Sequence, residues 1–229
     1  MASPARYSSG VTNVPSSDLM GQLIIPDPSS VHMYYNHFDT YAAGDWTVTE
    51  TQAAATEALT DADGGALLIT NSAADNDLVG MQLVGESFTF ESGKKLWGKV
   101  ALTLGDATQS DCIVGLHVLD TSPIATAPSD GVYFRKDDGD TNWDFVIVAS
   151  SASVIDVAAI GTATTSKVIL GFYFDGVDTF EYYFNNAKIG ESTTTGFPTT
   201  ALSVSHAIQN GEAAAKTLTM DLHLWIKEG

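Results

Sequence analysis

The sequence contains a single cysteine, Cys112, so no intrachain disulfide can form and stability has to come from packing. The apolar residues after Cys112 indicate a buried thiol in a strand, and nothing nearby supplies the base that a catalytic thiol needs. No apolar run reaches the roughly 18 residues of a membrane-spanning helix. The N-terminus lacks the basic segment and apolar core of a Sec-type signal peptide, so we expect synthesis in a cytoplasm without export by that route.

Basic residues are also scarce. The sequence has 10 lysines and arginines and 28 acidic residues, which gives a formal net charge of −18. A field of that sign repels phosphate backbones and anionic lipids, so neither nucleic acid nor a membrane is an expected partner. Basic protein surfaces and cations stay open as partners, and the charge also serves solubility. Only 17% of the residues are charged and 44% are hydrophobic, which is typical of a folded β protein with neutral polar faces.

Proline is concentrated in residues 1–30, which hold four of the seven prolines and many serines. Proline and the residue before it favour extended backbone, so this stretch forms neither a long helix nor a central strand. We interpret residues 1–30 as an extended N-terminal arm, with a disordered tail as the alternative, and residues 31–229 as one β domain. Leu23, Ile24 and Ile25 form a short apolar anchor, which an arm lying along a neighbouring subunit explains better than a tail does.

From residue 31 onward, apolar and polar residues alternate in short runs, which is the period-2 pattern of half-buried strands. Pairs such as Asp138-Gly139 and Asn185-Asn186 separate the runs and accept the positive φ angles of tight hairpins. The predicted fold is therefore all-β, an antiparallel two-sheet sandwich of jelly-roll type. Only in residues 51–59 are a turn of helix and a strand equally expected. The predicted strands are 45–50, 65–70, 83–90, 96–104, 112–119, 131–135, 143–149, 154–160, 167–175, 179–189, 202–208 and 217–226.

Three acidic clusters offer oxygen ligands of the kind that calcium prefers. No glutamate closes a twelve-residue calcium loop after either Asp-Gly pair, and Asp and Gly are also the residues that hairpin turns favour. We interpret the clusters as turns and predict neither a metal nor a cofactor. The clusters are Asp61 with Asp63, Asp75 with Asp77, and the carboxylates of residues 137–144.

The five histidines lack a metal-ligand spacing, since no pair forms an HExxH pattern and no CxxC accompanies them. His32 and His37 flank the tyrosines Tyr34 and Tyr35 near the first strand. The other three lie in predicted strands, where hydrogen-bonded or surface histidines are the ordinary case. These three are His117, His206 and His223.

Jelly rolls of this size include glycosidases, whose two carboxyls flank the scissile bond about 5–10 Å apart. A strand would supply them as an E-x-D-x-E-like run, which this sequence lacks. Glu86 and Glu91 are five apart and would face opposite ways on a regular strand. No G-x-S-x-G elbow and no Gly-rich phosphate loop is present. The sequence therefore predicts no catalytic residue, and a glycan-degrading enzyme is only the third hypothesis.

The aromatic residues allow two interpretations. They form a platform on which sugar rings stack, or they fill the core and rim of a sandwich, which is the commoner use. In Tyr182-Tyr183 one ring faces inward and the other outward, so the outward ring is available to a partner chain. The remaining residues in question are Trp46, Trp97, Trp143, Trp225, Tyr34, Tyr35, Tyr133 and Tyr173.

Three stretches resemble known β-sandwich families. Residues 167–191, KVILGFYFDGVDTFEYYFNNAKIGE, are similar to paired strands of concanavalin A-like and laminin-G-like jelly rolls, where one strand ends in a DG turn. Residues 131–150 and 36–77 are similar to segments of tailed-phage structural proteins of this jelly-roll type. Together they cover under half of the chain. No catalytic or metal-binding residue of these families carries over, because the acidic run of the glucanase relatives is missing.

The resemblance implies a virion protein, most specifically a capsid decoration (cement) protein on the outer surface of the capsid. The implied partners are the major capsid protein and neighbouring copies of this chain. A trimer suits a quasi-threefold shell, although no sequence pattern indicates the number of subunits. The alternative is a carbohydrate-binding module or a tail or fibre adsorption protein. The predicted partner contacts are Leu23, Ile24, Ile25, Tyr34 and Tyr35.

Overall fold

The computed structural model describes Leu19 and residues 31–229, and these residues form fifteen β-strands and almost no helix. A three-residue 3-10 helix at Ala43–Asp45 precedes the second strand. In this part of the chain no helix has the length and apolar character needed to cross a membrane. The strands are β1 (Val31–Asn36), β2 (Trp46–Glu50), β3 (Thr56–Thr60), β4 (Ala66–Thr70), β5 (Leu78–Leu83), β6 (Leu96–Leu104), β7 (Ser110–His117), β8 (Gly131–Lys136), β9 (Asn142–Ala149), β10 (Ala152–Thr162), β11 (Val168–Phe174), β12 (Thr179–Phe184), β13 (Ala187–Thr193), β14 (Ser203–Asn210) and β15 (Thr217–Glu228).

The strands form two antiparallel sheets that pack face to face, so the predicted all-β sandwich is confirmed. The eight-stranded sheet has the order β13-β12-β11-β6-β15-β4-β3, with β1 as a further partner of β15. The first part of β15 pairs with β4 and its second half with β1, while β6 pairs along its other edge. The seven-stranded sheet has the order β10-β9-β8-β7-β14-β5-β2.

The main core lies between the two sheets, because alternate residues of each strand point into that space. In β6, Leu96 faces the core while its neighbour Trp97 points to the opposite side of the sheet. Aromatic rings join the layers: the ring of Phe145 in β9 lies 5.9 Å from that of Phe172 in β11, which lies 5.8 Å from that of Trp225 in β15. Since large side chains fill the interior, a binding surface has to lie on an outer face or at an edge.

Two predicted hairpin turns are present in the structure. Asn185 and Asn186 connect β12 to β13 with φ angles of 50° and 67°. Gly176, with a φ of 84°, lies between β11 and β12. There, Asp175 Oδ1 accepts hydrogen bonds from the backbone N–H groups of residues 177–179. These residue types tolerate the left-handed backbone that tight turns need.

Two predicted elements differ from the structure, and one alternative is decided by it. The predicted strand 83–90 is wrong, because β5 ends at Leu83 and the loop that follows makes only an isolated bridge between Phe88 and Leu202. The polar Gly85-Glu86-Ser87 segment interrupts the alternation there. Residues 51–59, for which a turn of helix and a strand are equally expected, contain a turn followed by β3, so the strand alternative is confirmed from Thr56 onward. The predicted strand 179–189 is the β12–β13 hairpin, broken at its two asparagines.

Candidate functional site

The outward side of the eight-stranded sheet carries apolar side chains that we call the arm face: Met33, Tyr35, Leu224, Ile226 and Trp97. The register pairs Met33 with Ile226 and Tyr35 with Leu224, and it pairs Ile226 with Trp97. Paired residues point to the same side of a sheet, so these side chains are neighbours. Trp97 and Ile226 are buried, whereas 58% of Met33 and 55% of Tyr35 is exposed. Adjacent exposed apolar side chains beside buried ones are a candidate contact surface.

Leu19, the one described residue of the N-terminal stretch, packs onto this face. Its side chain is only 1% exposed and belongs to a cluster with Trp97, Tyr183 and Ile226. Gly171 lies directly beneath it, and a Cβ at that position would overlap Leu19 Cδ2. We call the site formed by Gly171, Trp97, Tyr183 and Ile226 the Leu19 socket. The outward-facing Tyr183 therefore contacts the N-terminal stretch of its own chain.

The two predicted tyrosine contacts differ in their surroundings. Tyr35 points outward on the arm face. Tyr34 points to the other side of the sheet, packs against the main core and accepts a 3.1 Å hydrogen bond from Asn36 Nδ2. Burial raises the pKa of Tyr34, so its hydroxyl stays neutral. A contact role for Tyr35 stays a prediction. The predicted contacts Leu23, Ile24 and Ile25, like the rest of the predicted arm except Leu19, lie outside the described residues.

The free edge of β1 adds a second feature to the arm face. Among residues 31–229, β1 pairs with β15 alone. Its other edge therefore presents backbone N–H and C=O groups to which an extended segment of another chain can add as a strand. Edge and exposed apolar side chains lie together in one six-residue strand.

The outward side of the seven-stranded sheet, which we call the loop face, is covered by the chain's own loop over residues 118–130. Ile124 of this loop packs against Tyr133 of the sheet, which is 1% exposed. Gln82 holds the start of the loop, because its Oε1 accepts a 2.8 Å hydrogen bond from the backbone N–H of Asp120. Apolar side chains on this face are therefore covered without a partner.

Arg135 of β8 is the centre of a charged group on the loop face. Its Nε lies 3.1 Å from Asp137, and its Nη2 lies 3.3 Å from Asp144 and 3.4 Å from Asp156. Asp144 also accepts a 2.9 Å hydrogen bond from the backbone N–H of Ala159. One cation and three carboxylates give this group a charge of −2, and each of the three carboxylates already has an ionic partner.

A pocket of about 150 Å³ opens beside Arg135, with walls that include Ile124, Tyr133, Asp111 and Asp137. Small-molecule sites usually occupy roughly 300–1,000 Å³, so this pocket is small. Burial raises the pKa of both Asp111 and Asp137.

The remaining acidic clusters have different roles in the structure. Asp61 and Asp63 line a wide, open hollow in an exposed loop together with Asp39. Asp77 is buried, and its Oδ1 accepts a 2.9 Å hydrogen bond from the hydroxyl of Thr51. Its Oδ2 accepts a 2.6 Å hydrogen bond from the backbone N–H of Ser72, so the carboxylate closes the turn before β5, in agreement with the turn interpretation.

Three histidines are buried, and sequence spacing alone does not show that two of them meet. His206 of β14 and His223 of β15 contact each other across the two sheets, with 3.1 Å between His206 Nδ1 and His223 Nε2. Trp225 Nε1 donates to His223 Nδ1 at 3.3 Å. Burial lowers the pKa of His206 to about 3 and that of His117 to about 4, and it lowers the pKa of His223 well below its ordinary value. All three are therefore neutral at pH 7.

The two histidines near the first strand are held by different neighbours. The ring of His32 lies 4.5 Å from that of Phe88. His37 Nδ1 lies 3.1 Å from the backbone oxygen of Asp221. Across Leu19 and residues 31–229, no group of three or more histidine, cysteine, aspartate or glutamate side chains has an arrangement that would hold a metal ion.

The tryptophans do not form a sugar-stacking platform. Each is buried, with an exposed fraction of 6% or less. Trp46, Trp143 and Trp225 belong to the main core, and Trp97 belongs to the Leu19 socket. The core interpretation of these residues therefore holds.

Known proteins resemble this chain in fold rather than in sequence. No protein family and no curated protein matches the sequence. A protein of unknown function from Shewanella oneidensis MR-1 superposes with a TM-score of 0.62 at 15% identity over 91% of both chains. The Bacillus licheniformis β-glucanase gives a TM-score of 0.60 at 12% identity over 84% of this chain and 97% of its own. The carbohydrate recognition domain of Emp47p gives 0.58 at 10% identity over 87% of this chain and 98% of its own.

The fold is a concanavalin A-like jelly roll. Structural neighbours of this jelly roll include glycosidases and carbohydrate recognition domains. Identities of 10–15% establish the shared architecture and leave the function to be argued from the surfaces of this chain.

Proposed function

We propose that this jelly roll is a non-catalytic structural protein that docks on another protein within a large assembly. The observation that carries the proposal is the arm face, where the exposed side chains of Met33 and Tyr35 stand on a strand with one unpaired edge. The other outer face is covered by the chain's own loop. On the arm face a partner can therefore both bury exposed side chains and pair with backbone.

A protein partner accounts for this surface better than a sugar does. Sugar-binding sites usually stack rings on several exposed aromatic side chains, whereas here all four tryptophans are buried and the exposed Tyr35 lies beside the aliphatic Met33. The net charge of −18 favours a partner with basic residues around the apolar contact. Asp137 in the wall of the loop-face pocket lies 3.1 Å from Arg135 Nε, so this carboxylate already has an ionic partner, which favours a non-catalytic role.

The specific assembly that we propose is a tailed-phage capsid, with the major capsid protein as the partner. Its support is the resemblance of residues 36–77 and 131–150 to phage structural proteins, together with an acidity that disfavours nucleic acid. A decoration protein that binds only the assembled shell stabilises it by mass action. The protein would lie on the outer capsid surface.

Co-sedimentation with mature phage capsids that lack the protein tests this proposal. Met33→Glu/Tyr35→Glu places two carboxylates on the arm face, and Val84→Glu/Val177→Glu is the matched control because those side chains are 58% and 64% exposed elsewhere. Wild type and control are expected to bind saturably at a fixed ratio to the capsid protein, and the arm-face variant is expected to lose binding. If the wild-type protein does not bind, the capsid role is wrong. Equal binding by all three would contradict the arm face as the contact.

A carbohydrate-binding role is the second candidate, favoured by the fold shared with the carbohydrate recognition domain of Emp47p. The loop-face pocket of about 150 Å³ is too small for an enclosed oligosaccharide, so a glycan would bind in a shallow site. A broad glycan panel tests this candidate. Saturable binding that Arg135→Met abolishes would support it, and absence of binding across the panel would remove it.

A further inference from the structure

The Leu19 socket is built for one inserted side chain. Gly171 leaves the space that Leu19 occupies, and the aromatic rings of Trp97 and Tyr183 with Ile226 complete the surroundings. Burying a leucine side chain is worth about 1.5–3 kcal/mol, so this single contact is a useful but reversible anchor. Among Leu19 and residues 31–229, no atom accepts a hydrogen bond from the buried Trp97 Nε1, so a backbone carbonyl of an inserted segment is a suitable acceptor for it.

The chain between Leu19 and β1 is longer than a contact within one molecule requires. Gly171, Lys99, Leu224 and Tyr35 form one row across four neighbouring strands. Gly171 lies three strand spacings from Tyr35, and Val31 lies four residues from Tyr35 along β1. These two perpendicular distances together place the socket roughly 20 Å from Val31. The twelve residue steps from Leu19 to Val31 span up to about 40 Å when extended. The tether can therefore deliver Leu19 either to its own domain or to a neighbouring one.

The net charge of the chain opposes contact between copies, which leaves an apolar anchor as the suitable kind of contact. Each copy carries −18, so copies repel one another unless a contact buries apolar surface. Leu19 and its socket provide such a contact at one residue, beside the exposed Met33 and Tyr35. Exchange of an identical element between copies needs no new surface, because the closed contact within one molecule is already complementary.

We propose that Leu19 of one copy fills the Leu19 socket of a neighbouring copy when the protein is assembled. The partner at this site is thus a second copy of the chain, and the inserted side chain is Leu19. This inference rests on the proposed assembly role and deepens it, because it assigns the contact between sister subunits rather than the contact with the capsid.

Cysteine pairing between two single variants tests the exchange. A Cβ at position 171 would lie 3.6 Å from Leu19 Cγ, which places Leu19→Cys and Gly171→Cys close enough for a disulfide to be tried. Each single variant carries only one of the two new cysteines, so a disulfide between positions 19 and 171 in a mixture requires exchange. The double variant Leu19→Cys/Gly171→Cys shows that the pair can form at all. Each single variant alone controls for pairing through Cys112, which is buried.

The mixture is oxidised both bound to capsids and free at high protein concentration, and is then separated without reductant. We expect a band at twice the monomer mass in the mixture and not in either single variant. A disulfide in the double variant that stays within one molecule, with no dimer in the mixture, would overturn the exchange. No disulfide in the double variant would overturn the socket itself. Capsid binding of the wild-type protein is read separately, so failure of the proposed function is distinguishable from failure of the exchange.

Discussion

The two outer faces of this jelly roll cover their apolar side chains in different ways. On the loop face, residues 118–130 fold over the sheet, and Arg135 forms an ion pair with Asp144. On the arm face, a distant residue of the chain, Leu19, covers one part, and Met33 and Tyr35 stay exposed. The apolar side chains of the loop face are covered by a neighbouring loop, whereas the arm face keeps exposed apolar side chains beside the buried Leu19. The difference indicates which side of the sandwich is free to meet a partner.

Acid should act most strongly on the seven-stranded sheet, which contributes two of the three buried histidines, His117 and His206. The folded pKa values of these and of His223 lie below the unfolded value of 6.5, so the unfolded state binds more protons in acid. Stability is then expected to fall as pH decreases below about 6.5, by up to about 1.4 kcal/mol per pH unit for each histidine. Urea unfolding at several pH values between 7.5 and 5 measures this slope.

The same urea unfolding series contains an internal control, the carboxylate of Asp106, and is repeated with one variant, His206→Phe. A hydrogen bond from Lys216 is the main cause that lowers the pKa of Asp106 to about 2. The contribution of Asp106 to the free energy of unfolding therefore changes mainly below its ordinary pKa of 3.8, outside this pH window. His206→Phe should reduce the slope by about a third, because it removes one of three buried groups. A slope that the variant leaves unchanged would contradict the assignment.

Removing Arg135 should destabilise the loop face. Arg135→Met leaves Asp144, which is 7% exposed, with only the backbone N–H of Ala159 as its partner. We expect a loss of about 2 kcal/mol in the free energy of unfolding, below the roughly 3–5 kcal/mol of a fully buried pair because Arg135 is partly exposed. Lys188→Met is the matched variant in the eight-stranded sheet. It should cost about 0.5 kcal/mol, since Tyr183 still donates to Glu181.

Shortening Leu19 should have a smaller effect than shortening a core leucine. Leu218 is fully buried between the sheets, and Leu218→Ala is expected to cost about 3 kcal/mol. Leu19→Ala should cost about 1 kcal/mol, because Leu19 packs on the outer side of the sheet and its truncation leaves the core between the sheets intact. Chemical denaturation of both variants makes the comparison. A loss from Leu19→Ala as large as that from Leu218→Ala would make Leu19 part of the cooperative core.

Changing the exposed part of the arm face should have the smallest effect on stability. Met33→Ser/Tyr35→Ser removes side chains that are more than half exposed, so the free energy of unfolding should change by less than about 0.5 kcal/mol. The same variant should lose capsid binding, because these side chains are proposed to be buried by the partner. A large loss of stability would show that they serve the fold instead.

The sequence was sufficient to predict the sandwich, because alternating strands such as β6 and the turn residues Asp175-Gly176 carry local signals. The predicted strand 83–90 was placed too late in the sequence, after β5, because the apolar run of β5 is short and lies between polar segments. The contact of His206 with His223 and the seat of Leu19 over Gly171 could not be predicted. Both depend on which strands face each other, and the residues involved are far apart in the chain.

The most direct test of the arm face as the contact surface is amide hydrogen exchange of the protein, free and bound to saturated capsids. Backbone amides of β1 are expected to exchange more slowly in the bound protein, while amides of residues 118–130 are expected to exchange at the same rate in both states. Slower exchange confined to residues 118–130, with β1 unchanged, would contradict the account and make the loop face the site of binding.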